Sequence, residues 1–128
     1  MAILGIGADI VQIPRVFAFL QRRGPERLAH RILSDVEVVH WDASRSGSEI
    51  KLEDAQFLAV RWALKEAAYK ALYPHYRPTW KDLTYYPLGA MKLGSKPVLS
   101  FKYQQDLSFH CSVTHDGGYV FATVVVEK

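Results

Sequence analysis

Cysteine is almost absent from this chain of 128 residues, since Cys111 is the only one. A single cysteine cannot form an internal disulfide, and this usage is typical of a reducing, intracellular environment. No apolar run approaches the roughly eighteen residues of a membrane-spanning helix. The apolar N-terminus is short, lacks a basic leader and is interrupted by Asp9. We therefore expect an intracellular, soluble protein with neither a membrane anchor nor a secretion signal.

Internal repeats and low-complexity tracts are also absent. The length is enough to bury one hydrophobic core and too short for two, so we expect a single domain over residues 1–128. Positive charge is only slightly in excess, with 16 Lys and Arg against 13 Asp and Glu, a net charge of +3. This excess favours an anionic partner, but a nucleotide, an acidic protein and a nucleic acid all satisfy it.

The apolar pattern places helices in the first half of the chain and most strands in the second. The predicted helices run over 14–24, 25–33, 35–42 and 52–73. The predicted strands run over 2–11, 84–86, 91–93, 98–102, 109–114 and 119–127. Ser34 and Glu37 form a capping box that opens the third helix. This order of elements indicates an α+β domain.

The long helix is apolar on most of its surface, which predicts burial on most sides. Four charges interrupt it: Arg61, Lys65, Glu66 and Lys70. Glu66 and Lys70 are four residues apart and share a face, whereas Arg61 and Lys65 share a second face about 100° away. The Glu66–Lys70 pair is either a surface ion pair or a site for a metal-bound diphosphate, with the carboxylate on Mg²⁺ and the lysine on phosphate oxygens.

Asp9 lies in a strand that is otherwise apolar, close to two glycines. Its carboxylate either bonds to backbone amides where the strand meets the first helix or is a second oxygen ligand for a metal. Gly5 and Gly7 leave room for another backbone or a ligand to approach. The chemistry of the residues alone leaves both interpretations open.

Three blocks together resemble one family. They read GIGADIV at 5–11 with Arg15 following, RWALKEAAYKA at 61–71, and SVTHD at 112–116. In this order they are similar to the holo-acyl-carrier-protein synthase family of small 4′-phosphopantetheinyl transferases. Trp62, Leu64 and the aromatic loop after the long helix resemble fungal mitochondrial members in particular.

The resemblance implies a fold, a reaction and a site. The fold is 4′-phosphopantetheinyl transferase-like, an antiparallel sheet packed on one long helix with short N-terminal helices. The reaction is Mg²⁺-dependent transfer of phosphopantetheine from coenzyme A to a serine of apo acyl carrier protein, for fatty acid biosynthesis. Asp9 and Glu66 bind the metal, Glu66 and Lys70 are catalytic, and Arg15 docks the carrier. Glu66 acting through water is the first candidate for the base. The residues that the resemblance assigns to coenzyme A are Arg61, Lys65, Lys70 and His115.

The resemblance also implies an assembly. Larger members contain two repeats with the active site between them, so a chain of half that length is expected to form a cyclic homotrimer with sites between subunits. Asp9 and Glu66 then come from one protomer, and His115 reaches in from the next. The compartment is the cytoplasm or, by the fungal likeness, the mitochondrial matrix.

Two other classes compete with this interpretation. The first is an RNA-binding module that uses the net positive charge and the aromatic side chains of Tyr76, Trp80, Tyr85 and Tyr86. No stacking motif or dense basic stripe supports it, and carboxylates inside the best motifs repel a phosphate backbone, so we expect no nucleic acid partner. The second is a structural relative that has lost catalysis. The presence of both carboxylates and of Lys70 argues against this class.

Overall fold

The first strand and four helices account for most of the first half of the chain, as the computed structural model shows for the described residues, 1–88 and 97–128. The helices are α1 (Ile13–Arg23), α2 (Pro25–Ile32), α3 (Asp35–Ser44) and α4 (Leu52–Leu72). The strands are β1 (Ile3–Gln12), β2 (Leu83–Tyr86), β3 (Val98–Phe101), β4 (Ser108–Asp116) and β5 (Tyr119–Glu127). The α+β class is confirmed, and the predicted strand over 91–93 lies outside the described residues.

The five strands of the described residues form two antiparallel sheets. The larger sheet has the order β1-β5-β4, and the smaller pairs β2 with β3. In the larger sheet Asp9 lies opposite Ala122, which in turn lies opposite Val113. One face of this sheet packs on α4, so the predicted packing of an antiparallel sheet on the long helix is confirmed.

Two glycines let α4 lie directly against β1. A Cβ atom at Gly5 would lie 1.9 Å from the carbonyl oxygen of Ala71, and one at Gly7 would lie 1.9 Å from that of Ala67. A step of two residues along β1 therefore covers the same distance as a step of four residues along α4, and the strand and the helix run in opposite directions. Asp9 comes two residues after Gly7 on the same face of the strand, which brings its side chain beside the next turn of α4.

The opposite face of the larger sheet is apolar, and none of the residues in 1–88 and 97–128 covers it. Ile6 is 70% exposed and Ile10 60%, and Phe121 on the neighbouring strand is 42% exposed. Successive side chains of β1 point to opposite faces of the sheet, so its apolar residues are divided between the face that packs on α4 and the exposed face. None of the helices in the described part of the chain is long and apolar enough to cross a membrane.

Candidate active site

A groove of about 540 Å³ between β1, α1 and α4 contains both predicted metal ligands. Asp9 and Glu66 line it, and Phe19 and Trp62 contribute apolar walls. Asp9 reaches the groove from β1, and Glu66 reaches it from the middle of α4. Two residues that are far apart in sequence therefore present carboxylates to one cavity.

The two carboxylates are close enough for the charge of Asp9 to affect the pKa of Glu66. Burial raises the pKa of the Glu66 carboxyl above its usual value, the negative charge of Asp9 raises it further, and Lys70 opposes the shift. Like charges disfavour each other's ionised forms, and a cation between them would relieve that repulsion. A pair of carboxylates beside an open groove is a donor set that suits a hard divalent cation.

Lys70 crosses from α4 to β1 instead of pairing with Glu66 on its own helix. Its Nζ donates to the carbonyl oxygen of Ala8 at 2.9 Å and lies 3.2 Å from Asp9 Oδ1. The side chain remains 52% exposed, so the ammonium is still open to solvent. The surface-pair interpretation of Glu66 and Lys70 is therefore wrong, because the lysine's salt bridge is with Asp9.

Lys65 is buried and fully engaged, which corrects its predicted phosphate contact. It is 2% exposed, and its Nζ donates to Glu37 Oε1 at 2.6 Å, to the Ile32 carbonyl at 2.7 Å and to the Trp80 carbonyl at 3.1 Å. Three acceptors occupy the three hydrogens of an ammonium. Burial lowers the pKa of Lys65, and Glu37 opposes that shift. No hydrogen remains for a phosphate oxygen.

Arg61 shares the second helix face with Lys65, as predicted, and is also buried. Its guanidinium lies over the Phe57 ring, 3.5 Å from the centroid, and donates to the Pro87 carbonyl at 3.2 Å. Burial lowers its pKa to about 10, with Glu37 opposing. Within the described residues Arg61 Nε has no hydrogen-bond partner, since Glu37 Oε2 is 3.6 Å away.

His115 lies apart from the carboxylates within one protomer. It lies on β4 opposite Val120 of β5, and Val120 in turn lies opposite Val11, so a whole strand separates it from β1. His115 and Arg61 line a second, larger cavity of about 920 Å³ beside α3, α4 and β4. The structure thus brings these two predicted coenzyme A contacts together and leaves them away from the Asp9–Glu66 groove.

Arg15 is exposed on α1 and lines the groove that holds Asp9 and Glu66. Sequence reasoning missed a second arginine there, Arg22, which is seven residues further on and therefore on the same helix face. It also treated Glu37 only as a capping residue and missed its buried contacts with Lys65 and with the Tyr85 amide. The sequence around Glu37 does not indicate this burial, since Val36 beside it is 47% exposed and neighbouring helix residues face different directions.

The comparisons with known proteins agree with one another. Residues 5–124 match the family model described as the 4′-phosphopantetheinyl transferase superfamily. The holo-[acyl-carrier-protein] synthase of Klebsiella pneumoniae (strain 342) is 37% identical over 135 residues, covering 100% of both chains. That of Hamiltonella defensa is 34% identical over 134 residues, covering 99% of each.

Solved structures are similar over nearly the whole chain. The crystal structure of holo-[acyl-carrier-protein] synthase from Neisseria meningitidis has a TM-score of 0.76 at 27% identity, covering 99% of this chain and 100% of that one. The Helicobacter pylori enzyme, solved in complex with coenzyme A, has a TM-score of 0.67 at 27% identity, covering 95% of this chain and 99% of that one.

Proposed function

Because this chain belongs to the 4′-phosphopantetheinyl transferase superfamily, we propose that it is a holo-[acyl-carrier-protein] synthase formed by one domain over residues 1–128. It transfers the 4′-phosphopantetheine group of coenzyme A to a serine of apo acyl carrier protein and releases adenosine 3′,5′-bisphosphate. The relatives that match end to end support the reaction. The observation that carries it is the groove in which Asp9 and Glu66 present paired carboxylates beside Lys70.

The donor set in this groove fits Mg²⁺. Asp9 and Glu66 supply oxygen ligands, and the negative charge of Asp9 adds to the burial that raises the pKa of the Glu66 carboxyl, so a cation between the two carboxylates would be favoured. We propose that these two residues hold the ion together with diphosphate oxygens and water. When bound, Mg²⁺ supplies Lewis-acid stabilisation of the negative charge on the diphosphate.

The chain's own residues then bind, orient and neutralise the substrates. Lys70, held beside Asp9 but half exposed, places its ammonium where charge develops on the oxygen that leaves with adenosine 3′,5′-bisphosphate. Glu66 accepts the proton of the carrier serine through a water molecule. The serine oxygen attacks the phosphorus attached to pantetheine, and the bond from that phosphorus to the bisphosphate breaks.

Arg15 marks the side from which the carrier approaches. It lines the same groove as the two carboxylates, and Arg22, about two helix turns further along the same face of α1, adds a second positive charge. An acidic carrier helix placed along α1 would meet both arginines while its serine enters the groove. The chemistry of this rim fits an acidic protein rather than a nucleic acid, because a phosphate backbone would also meet the carboxylates of Asp9 and Glu66.

We propose that the active enzyme is a homotrimer with its sites between subunits. The uncovered apolar sheet face, with Ile6, Ile10 and Phe121 exposed, supports burial against further copies of the chain. The cavity of Arg61 and His115 is separate from the carboxylate groove in one protomer, which supports a site completed by a neighbour. Coenzyme A would then span the two cavities, with its diphosphate at Glu66 of one protomer and its 3′-phosphate near Arg61 and His115 of the next. We place the reaction in the cytoplasm or the mitochondrial matrix.

Intact-mass spectrometry of an apo acyl carrier protein tests the reaction. Incubation with this protein, coenzyme A and Mg²⁺ should add one phosphopantetheine group, and EDTA should abolish the gain. Glu66→Gln should abolish transfer while thermal stability stays near wild type, and Glu49→Gln, an exposed loop carboxylate, should transfer normally. Failure of the wild type to modify bacterial or mitochondrial apo carriers would refute the proposed transfer, and undiminished turnover by Glu66→Gln would remove Glu66 from the site.

A further inference from the structure

Glu37 is a buried carboxylate that joins three parts of the fold. It is 0% exposed and lies in the first turn of α3. Its Oε1 accepts from the Ser34 backbone amide at 2.8 Å and from Lys65 Nζ at 2.6 Å. Its Oε2 accepts from the Tyr85 backbone amide of β2 at 3.2 Å and lies 3.6 Å from Arg61 Nε. The start of α3, the middle of α4 and strand β2 therefore meet at one carboxyl group.

Lys65 carries this connection to the groove. Its ammonium is held by Glu37 and by the Ile32 and Trp80 carbonyls, so the side chain cannot move without breaking buried polar contacts. The next residue on α4 is Glu66, about 100° further round the helix axis. Four residues later Lys70 ties the helix to β1 at Ala8 and Asp9. Glu66 thus lies between two lysine anchors that hold α4 from different sides.

Stability does not account for this network. Removing two charged groups from water costs several kcal/mol per ion, and replacing a buried ion pair with apolar side chains of similar volume is often neutral or stabilising. In some proteins such a buried polar group instead fixes one arrangement of the elements that carry it. In α4 that arrangement is the rotation of the helix about its own axis, which decides where Glu66 points.

We propose that Glu37 is a positioning residue for the transfer reaction: by holding Lys65 it sets the rotation of α4 and so the distance between the Glu66 and Asp9 carboxylates. The inference rests on the proposed function. A helix turn of about 20° would move a carboxylate lying about 6 Å from the axis by about 2 Å. A shift of that size is enough to weaken a shared cation site and to misalign a phosphoryl transfer.

The test replaces the ionic pair with a neutral one. Glu37→Gln alone leaves two buried cations without a counter-charge and endangers folding, so the main variant is Glu37→Gln with Lys65→Met. The matched control is Arg45→Gln with Asp54→Asn, which removes a 2.9 Å ion pair that also joins the end of α3 to α4, twelve residues before Glu66. Mn²⁺ titration followed by electron paramagnetic resonance, thermal melting, and kcat and KM for coenzyme A are measured on each protein.

Because the buried Arg61 still loses the charge of Glu37, we expect the main variant to melt below the wild-type temperature but to stay folded in the assay, to lose about 10- to 100-fold in kcat and in Mn²⁺ affinity, and to keep its KM for coenzyme A. The control should keep both kcat and Mn²⁺ affinity. A folded main variant with wild-type kcat and Mn²⁺ affinity would overturn the positioning role and leave the proposed function intact. If the wild type transfers nothing, the proposed function fails, and Mn²⁺ affinity alone decides whether Glu37 positions Glu66.

Discussion

The contact between β1 and α4 can be tested at Gly7. A Cβ at this position would lie 1.9 Å from the carbonyl oxygen of Ala67, and 2.9 Å from the carbonyl carbon of Ala67 and the amide nitrogen of Ala71. All three are backbone atoms of α4, so no side chain can rotate to make room. The helix itself has to move away from the strand.

The size of that movement sets the expected loss. A carbon and an oxygen need more than 3.0 Å, so the gap of 1.9 Å has to open by about 1 Å or more. Inserting a methyl group into such a packed contact costs about 1–3 kcal/mol of stability. Ala67 is next to Glu66, so Gly7→Ala also moves Glu66 away from Asp9, and a displacement of about 1 Å can lower a catalysed rate by about 10²-fold.

Gly47→Ala is the control for this experiment. A Cβ at Gly47 meets nothing within 4 Å, but its φ of +77° makes any side chain strained. That strain costs about 1–2 kcal/mol, which matches the lower part of the range expected for Gly7→Ala. Both variants should melt earlier in a circular dichroism scan, and only Gly7→Ala should lose transfer in the intact-mass assay. Wild-type stability and rate in Gly7→Ala would refute the direct backbone contact.

Three further outcomes follow from the exposed arginine, the uncovered sheet face and the free thiol. Arg15→Glu should raise the KM for carrier protein and leave coenzyme A affinity unchanged, since reversing a rim charge acts on encounter; a loss confined to coenzyme A affinity would contradict its place at the carrier side. Ile6→Glu should reduce three chains to one by light scattering and abolish transfer, and an active monomer would exclude a shared site. Burial raises the pKa of the Cys111 thiol, so at neutral pH iodoacetamide should alkylate it more slowly than free cysteine, with the rate rising as pH increases; equal rates would show an open thiol.

Short-range sequence patterns were enough to predict the helices and strands and part of the candidate site. The capping box at Ser34 and Glu37, the helix ends near Gly24 and Pro74, and the hairpin after Asp116 all depend on a few neighbouring residues, and each is present in the structure. The pair of glycines before Asp9 likewise predicted the close approach of another backbone or of a ligand, and the backbone of α4 makes that approach. These features were readable because backbone geometry and nearest neighbours decide them.

The tertiary structure alone decided which charges are available for chemistry. Helix periodicity placed Arg61 and Lys65 on one face of α4, but only packing showed that this face meets the buried Glu37 and uses every hydrogen of Lys65. It also paired Lys70 with Asp9, 61 residues away, instead of with Glu66 one turn away. The spacing of charges along a helix is a local property, whereas the partner that each charge meets depends on where distant segments pack.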